Sequence, residues 1–151
     1  PMDYTPCTFT DSQNPHITTD CHELALPILF ESGLQHMADR PEAYLSLPEP
    51  VRNLLSDLPS AWDDTRLLAG YPGESAVIAR RCGDTWYIAG INGTENEITL
   101  EPDFSRIGQD DMLSMLITDK GDKPGMGFNI QNNVPAGKLT LPARGGFVAT
   151  F

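Results

Sequence analysis

Two hydrophobic periods divide the chain, and the change falls near residue 60. Before this point apolar residues recur three and four positions apart, which is the spacing of one face of an α-helix. After Trp62, short runs of β-branched and aromatic residues alternate with turn residues, a pattern typical of antiparallel strands. The sequence therefore predicts a helical segment over residues 1–60 and a β-rich unit over residues 61–151.

The first predicted helix covers residues 24–38 and is apolar nearly all round. Asp20 and Glu23 have the spacing of a capping box, in which Asp20 accepts from the backbone and Glu23 reaches back. Pro27 removes one helical hydrogen bond and predicts a kink or a later start. A helix with so much apolar surface needs burial on several sides. No segment of this chain is an obvious cover for its far side, so we expect Leu26 and Phe30 to be exposed.

The start and the end of a second predicted helix are marked more clearly in the sequence than those of the first. Ser46 is the expected N-cap, Pro48 lies in the first turn, and Glu49 completes a second capping box. The apolar residues that follow have the spacing of one helical face: Val51, Leu54, Leu55 and Leu58. Pro59 ends this short amphipathic helix.

Seven short strands are predicted in the β-rich unit, at residues 66–69, 76–80, 85–91, 97–101, 113–118, 138–141 and 147–151. Asn92-Gly93 is expected to form a tight hairpin turn between two of them. Because no helical period separates the strands, the unit should be an antiparallel sandwich or barrel. Short connections favour pairing between sequence neighbours, which would make the sheet a meander.

The net charge of the chain disfavours two classes of binding partner, namely nucleic acids and anionic membranes. The chain has 21 Asp and Glu against 10 Lys and Arg, a net charge of −11. Nucleic acids and anionic membranes attract basic patches, so neither is an expected partner. No apolar run approaches the roughly 20 residues of a membrane-spanning helix.

Three cysteines, Cys7, Cys21 and Cys82, fit neither a paired disulfide framework nor a zinc site. Buried free thiols are expected for at least two of them. A bridge between Cys7 and Cys21 stays open if the protein is exported.

Carboxylates are the only abundant catalytic side chains, yet none forms a recognisable site. Asp3 fits either a functional position at a strand end or a turn cap, and Glu31 fits either a buried acid or a rim contact. Asp63 and Asp64 are adjacent, and adjacent strand residues point to opposite faces, which favours structural roles. Residues 119–122 match a calcium loop poorly.

Other motifs are equally weak. Asn92 begins a formal glycosylation sequon, which a turn explains more simply. Trp62, Trp86 and Tyr87 could stack on sugar rings, although aromatic residues in strands usually belong to a core. Residue chemistry alone therefore indicates no active site and no metal ligand in this chain.

Five blocks of sequence do resemble a known family: PMDYTP, LALPILFESGLQHMADRPEAY, LPSAWDDTRLLAGYPGE, VIARRCGDTWYIAGING and GGFVATF. They are similar to the C-terminal part of glycoside hydrolase family 97. The resemblance extends over essentially the whole chain, and WDDTR, ARRCGDTWY and the terminal GGF are its most specific parts.

The resemblance implies a larger exo-acting α-glucosidase or α-galactosidase with an N-terminal β-sandwich, a central (β/α)₈ barrel and a C-terminal β-sandwich. The expected fold class of this chain is an α+β fragment. Residues 1–60 would be the last strand-helix portion of the barrel, and residues 61–151 the antiparallel β-sandwich domain. Pro1–Pro6 would match a late barrel strand and its loop, and Asp20–Asp39 the last barrel helix. The rest of the barrel would then be the missing helix cover.

The same resemblance implies that the catalytic carboxylates and the glutamates that hold calcium lie outside this chain. Asp3 and Tyr4 belong to a motif near the mouth of the barrel, which implies a substrate-binding role. Family members usually have glycine where this chain has Cys7. Since a residue with a Cβ avoids positive φ, we expect a changed loop backbone there.

The expected function is that of the C-terminal region of a glycosidase, retaining or inverting, which acts on terminal α-linked sugars. This region would contribute packing and oligomerisation and be inactive alone. Its partners would be the remaining barrel, the N-terminal domain, the oligosaccharide substrate of the whole enzyme and further copies. By resemblance, the enzyme would be periplasmic or secreted in a bacterium. The alternative is an independent module that binds carbohydrate or a partner chain, favoured if Trp62, Trp86 and Tyr87 are exposed in one line.

Overall fold

A computed structural model describes residues 5–10, 15–109 and 111–151 of the chain. Its α-helices are α1 (Asp20–Leu29), α2 (Pro41–Ser46) and α3 (Glu49–Asp57). Its strands are β1 (Asp64–Tyr71), β2 (Ser75–Cys82), β3 (Thr85–Asn92), β4 (Ile98–Leu100), β5 (Met112–Asp119), β6 (Phe128–Pro135), β7 (Leu139–Leu141) and β8 (Gly146–Thr150). A short 3₁₀ helix spans Phe104–Ile107. None of the helices in these ranges is long and apolar enough to cross a membrane.

Six strands form one antiparallel sheet in the order β1-β2-β3-β8-β5-β6, while β4 and β7 form a separate pair. All seven predicted strands are present, but the predicted meander is wrong because β8 lies between β3 and β5. Residues 146–149 of β8 are all buried. A strand that is buried on both faces is most stable at the centre of a sheet.

The sequence pattern also missed one strand. β6, with the sequence FNIQNNVP, pairs with β5 and forms one edge of the six-stranded sheet. Asn and Gly are depleted in strands, so a run with three asparagines gives no strand signal. Pairing with β5, rather than the propensity of the segment, accounts for this strand.

The large sheet is covered on both faces, which gives three layers. Side chains alternate along β8: Phe147 and Ala149 contact β4, β7 and the 3₁₀ helix, whereas Val148 contacts α1 and α3. This alternation follows from the two-residue period of a strand. The domain is therefore a mainly antiparallel β-sheet unit with a helical layer on one face.

Helix α1 packs with one side against the sheet of the same chain. Leu24, Ala25 and Ile28 are fully buried against Ala89 and other sheet residues. The helix ends at Leu29 rather than continuing to residue 38. This core joins residues on both sides of position 60, so the division into 1–60 and 61–151 stays a prediction.

Two apolar residues of the α1 segment are only partly covered by the sheet. Leu26 is half-buried, and Phe30 is 40% exposed. The sheet therefore buries one side of α1 and leaves part of the other side accessible.

Both predicted capping boxes are wrong in their partners. Thr19, rather than Asp20, is the N-cap of α1, and its hydroxyl oxygen accepts from the backbone N–H of His22. The Asp20 carboxylate instead accepts from the backbone N–H groups of Gly125 and Gly127, at 2.9 and 2.7 Å. Asp20 thus ties the first turn of α1 to the loop before β6.

The start of α3 also differs from its prediction. Its N-cap is Pro48, without a side-chain hydrogen bond, and the Ser46 hydroxyl donates to the carbonyl of Ala43 in α2. The predicted apolar face is confirmed, since Val51 and Leu54 are buried in the core beneath the helix. Packing of this face, rather than capping, holds α3 in place.

Pro27 lies inside α1 without interrupting it. Because proline has no N–H, the carbonyl of Glu23 lacks its usual helical donor. The Cys7 thiol donates to this carbonyl, with an Sγ–O distance of 3.3 Å. A side chain from the N-terminal segment therefore replaces the hydrogen bond that proline removes.

Arg80 of β2 holds the C-terminal end of α1. Its guanidinium donates to the carbonyls of Ile28 and Leu29, at 2.6 and 3.2 Å, and to the Thr65 hydroxyl at 3.0 Å. Only 4% of Arg80 is exposed. A cation at a helix C-terminus interacts favourably with the last carbonyls and with the helix dipole.

Asp119 of β5 holds the opposite end. Its carboxylate accepts from the Thr19 hydroxyl at 2.7 Å and from the backbone N–H of Cys21 at 2.9 Å. It also accepts from the N–H of Gly146, which links α1 to the first residue of β8. Burial raises the pKa of Asp119, and these hydrogen bonds act in the opposite direction. We call Arg80 and Asp119 the α1 clamp.

If the α1 clamp holds the helix, Arg80 should contribute more to the free energy of unfolding than the neighbouring Arg81. Arg80→Met should lower the free energy of unfolding by about 3 kcal/mol, because it leaves buried helix carbonyls without donors. Arg81→Met is the matched control, since Arg81 is half-buried and its contact with Asp63 is a surface ion pair at 3.7 Å. That substitution should cost less than about 1 kcal/mol. Urea unfolding followed by circular dichroism measures both values, and equal losses would contradict the clamp.

Candidate functional site

The segment that follows the MDYTP motif is held by the helical layer. In this N-terminal loop (residues 5–10), the backbone N–H groups of Phe9 and Thr10 donate to Asp39 at 2.9 Å each. The Thr10 hydroxyl donates to the same carboxylate at 2.7 Å. Burial opposes ionisation of Asp39, but its hydrogen bonds outweigh burial and lower its pKa. Asp39 is thus an ionised anchor for the loop.

Tyr44 of α2 supplies the second anchor. Its hydroxyl donates to the carbonyl of Cys7 at 2.8 Å and accepts from the N–H of Asp39 at 2.9 Å. Phe9 packs edge-on against both Tyr44 and Phe128, with ring centroids 6.2 and 5.9 Å apart. Polar and aromatic contacts together fix the course of the N-terminal loop.

Cys7 adopts the backbone conformation that glycine favours. Its φ is 66°, and its side chain is fully buried. The cysteine is therefore held at positive φ, which a residue with a Cβ ordinarily avoids. Its hydrogen bonds to Tyr44 and to the Glu23 carbonyl offset the cost of the left-handed conformation.

Asp3 and Tyr4, the predicted substrate-binding residues, lie outside the described residues. The described neighbour of this motif is Pro6, whose carbonyl accepts from the N–H of Ala38 at 3.1 Å.

The candidate acids have structural partners. Glu31 is a rim contact, because its side chain is 73% exposed and lies 3.3 Å from Arg80. Asp63 accepts from the N–H of Gly83 at 2.8 Å, and Asp64 pairs with Arg66 at 2.9 Å. These contacts agree with the structural roles predicted for the two aspartates.

The cysteines are free thiols rather than a disulfide. Burial raises the pKa of both Cys7 and Cys21 well above the ordinary thiol value. A thiolate is the nucleophilic form, so neither buried cysteine is activated for covalent catalysis.

Within the described ranges, no three His, Cys, Asp or Glu side chains are grouped closely enough to hold a metal ion. Asp119, from the weak calcium-loop match, instead belongs to the α1 clamp.

Asn92 organises a loop instead of a hairpin turn. Its side-chain amide donates to the carbonyls of Asn96 and Pro142, at 2.7 and 2.8 Å, and its oxygen accepts from Thr94. The residue is fully buried at the end of β3. The predicted Asn-Gly hairpin is therefore wrong, and the sequon nitrogen is inaccessible in the folded chain.

The three aromatic candidates do not form a platform for a sugar. Trp86 is 7% exposed and belongs to the core beneath β4 and β7. Tyr87 faces the helical layer, on the opposite side of the sheet, where it packs edge-on against Trp62 at 5.5 Å. Since Trp86 and Tyr87 lie on opposite faces, the geometry that would favour an independent carbohydrate-binding module is absent.

Five large apolar side chains are exposed in the described part of the helical segment. Those at least 40% exposed before residue 60 are Ile17, Phe30, Leu34, Met37 and Leu45. Met37 and Leu45 also line an open groove of about 320 Å³ between α2 and α3. Apolar surface of this kind is typical of a contact with another domain or chain.

Sequence reasoning missed the residues that organise this region, namely Asp39, Tyr44, Arg80 and Asp119. Most of their partners are between 5 and 100 positions away in the chain. Sequence provides only an indirect indication of such residues, because the backbone N–H and C=O groups at the ends of a helix require hydrogen-bond partners.

Comparison with known proteins identifies the family of this chain. The family model described as "Glycosyl-hydrolase 97 C-terminal, oligomerisation" matches residues 61–151. A probable retaining α-galactosidase of Streptomyces bingchenggensis is 41% identical over 98% of this chain and 23% of its own length. A retaining α-galactosidase of Bacteroides thetaiotaomicron is 36% identical over 67% of this chain and 15% of its own length.

Solved structures agree with this match. A glycoside hydrolase family 97 enzyme from Pseudoalteromonas sp. strain K8, in complex with acarbose, is 27% identical with a TM-score of 0.73. The match covers all of this chain and 26% of that chain. A β-arabinopyranosidase is 29% identical with a TM-score of 0.72, over 89% of this chain and 21% of that chain.

The chain spans about a quarter or less of the length of these relatives. Its β-sheet layers coincide with the matched family region, and its described carboxylates and thiols form no catalytic group. The chain therefore belongs to glycoside hydrolase family 97, of which it represents the C-terminal region.

Proposed function

We propose that this chain is the C-terminal region of a larger, retaining, exo-acting α-galactosidase. The observation that carries the proposal is the 41% identity, over nearly the whole chain, to a probable retaining α-galactosidase. The second curated relative has the same activity in its name. Both names favour galactose over glucose and retention over inversion. In a retaining enzyme two carboxyl groups lie about 5 Å apart, and here they would come from the remaining protein.

In the whole enzyme, residues 1–60 would be the last strand-helix portion of a (β/α)₈ barrel, with α1 as its last helix. The apolar side chains exposed on the helical segment support this proposal, because a barrel would bury them. The sheet beneath α1 would then hold the outer side of the barrel helix. Contact with the barrel and with the N-terminal domain, together with oligomerisation, would be the role of this region.

Three further features of the whole enzyme are proposals drawn from the family resemblance. Calcium would be bound by glutamates outside this chain. Terminal α-linked oligosaccharides would be the substrate, and the enzyme would work in the periplasm or outside a bacterial cell. Asp3 and Tyr4 would contact the substrate, and the rigid anchoring of the N-terminal loop supports this role because it would fix the motif immediately before it.

Hydrolysis assays test the proposed activity. This chain alone should not hydrolyse p-nitrophenyl α-galactoside or p-nitrophenyl α-glucoside, with or without calcium, because the catalytic carboxyl pair is proposed to lie in the rest of the enzyme. The longer protein that includes this chain should hydrolyse the α-galactoside with the higher kcat/KM, and a chelator should abolish turnover. Turnover by the chain alone would refute the non-catalytic role. A preference of the longer protein for the α-glucoside would refute the proposed sugar.

The anchoring of the N-terminal loop can be measured through Cys7. Asp39→Asn should raise the rate at which a thiol reagent modifies Cys7 about tenfold. The asparagine side chain is uncharged, so it binds the two backbone N–H groups of the loop more weakly than the carboxylate does. The measurement uses a Cys82→Ser background, since Cys82 is the partly exposed cysteine.

Asp122→Asn is the control for this experiment, because it removes the same charge from an exposed position. Its Cys7 modification rate should equal that of the parent chain. Equal rates for Asp39→Asn and Asp122→Asn would show that Asp39 does not hold the loop.

A further inference from the structure

Strand β6 is an open edge of the six-stranded sheet. It pairs with β5 along one side, from Phe128 to Pro135. Within the described part of the chain, no backbone–backbone hydrogen bond outside that ladder involves residues 128–135. Apart from Asn133, whose φ is 52°, and Pro135, which has no N–H, one side of the strand therefore presents unpaired N–H and C=O groups, which can pair with a further strand.

The opposite edge of the sheet is blocked. The carbonyl of Leu67 in β1 accepts from the Arg106 guanidinium at 2.9 Å, and that of Leu68 accepts from the N–H of Asp103 at 3.1 Å. The 3₁₀ helix and the residue before it thus occupy part of the outer side of β1. Within the described residues, the outer side of β1 is thus partly hydrogen-bonded, whereas the outer side of β6 is uncovered over its length.

The sequence around β6 also lacks charged residues, although Pro135 lies at the end of the strand. Residues 124–137 contain no Asp, Glu, Lys, Arg or His, although 21% of the chain is charged. Natural edge strands commonly carry charges, particularly lysine, that prevent pairing with another chain. Asn129, Gln131, Asn132 and Asn133 are instead exposed and uncharged. Their amides can donate and accept between copies at no electrostatic cost.

A groove beside β6 could also accommodate side chains of a further strand. A groove of about 460 Å³ lies between β6 and β7 and is lined by residues that include Gln131, Val134 and Leu139. The small β4–β7 sheet therefore leaves the face beside β6 partly uncovered. Side chains of a strand paired with β6 would have room to pack there.

We propose that β6 pairs antiparallel with β6 of a second copy of this chain, so that two six-stranded sheets join into one continuous sheet. Antiparallel pairing of identical strands has two-fold symmetry and closes after two copies. The uncharged edge favours a second copy as the partner, because most other surfaces of a chain with net charge −11 would repel each other. This inference rests on the proposed oligomerisation and names the surface responsible for it.

Charge substitutions at the middle of β6 test the interface. The parent chain should sediment as a dimer. The double variant Gln131→Lys/Asn132→Lys brings like charges together across the two-fold axis, and its dimer dissociation constant should rise at least about tenfold. The variant Gln131→Asp/Asn132→Asp should dissociate in the same way. An equimolar mixture of the two variants should form a dimer again, because the charges are then opposite.

Leu67→Lys is the matched control on the other edge of the sheet, where Leu67 is 54% exposed. It should leave the dimer intact, and circular dichroism should show the same fold for every variant. A dimer unaffected by the β6 variants, or dissociated by Leu67→Lys instead, would overturn the β6 interface while leaving oligomerisation itself in place. A parent chain that is monomeric at all concentrations would overturn both. Neither result bears on the hydrolytic activity proposed for the whole enzyme.

Discussion

The structure depends on one helix that is held at both ends by opposite charges from the sheet. Arg80 binds the last carbonyls of α1, and Asp119 binds the N-cap and first turn. Each side chain also satisfies backbone groups that a helix end leaves without partners. The apolar face between the two ends is buried against β3, β5 and β8. Charge fixes the position of the helix along the sheet, while burial supplies most of the attraction.

This arrangement joins the helical layer and the β layers into one core. The N-terminal loop then depends on the helical layer in turn, through Asp39, Tyr44 and the Cys7–Glu23 contact. A chain of contacts therefore leads from the centre of the sheet to the residues that follow the MDYTP motif. In the proposed enzyme, the C-terminal region would thereby stabilise a loop close to the substrate.

The sequence predicted local patterns well and long-range partners poorly. The seven strands and the apolar face of α3 followed from residue spacing, because each pattern is complete within a few residues. Arg80 and Arg81 are adjacent and chemically identical, and only the fold shows that the first is buried at a helix end. β6 escaped prediction because its asparagines favour turns and its strand form depends on β5. Sequence did indicate that Asp63 and Asp64 are structural, but it could not supply their partners.

Hydrogen–deuterium exchange of α1 in this chain tests most directly whether the sheet and the clamp hold the helix. We expect amides in the hydrogen-bonded part of α1, up to Phe30, to exchange about as slowly as those of β3 and β8, since all three belong to one core. Exchange of the α1 amides about a hundredfold faster than that of β3 would contradict it. That result would mean that the helix opens independently of the sheet.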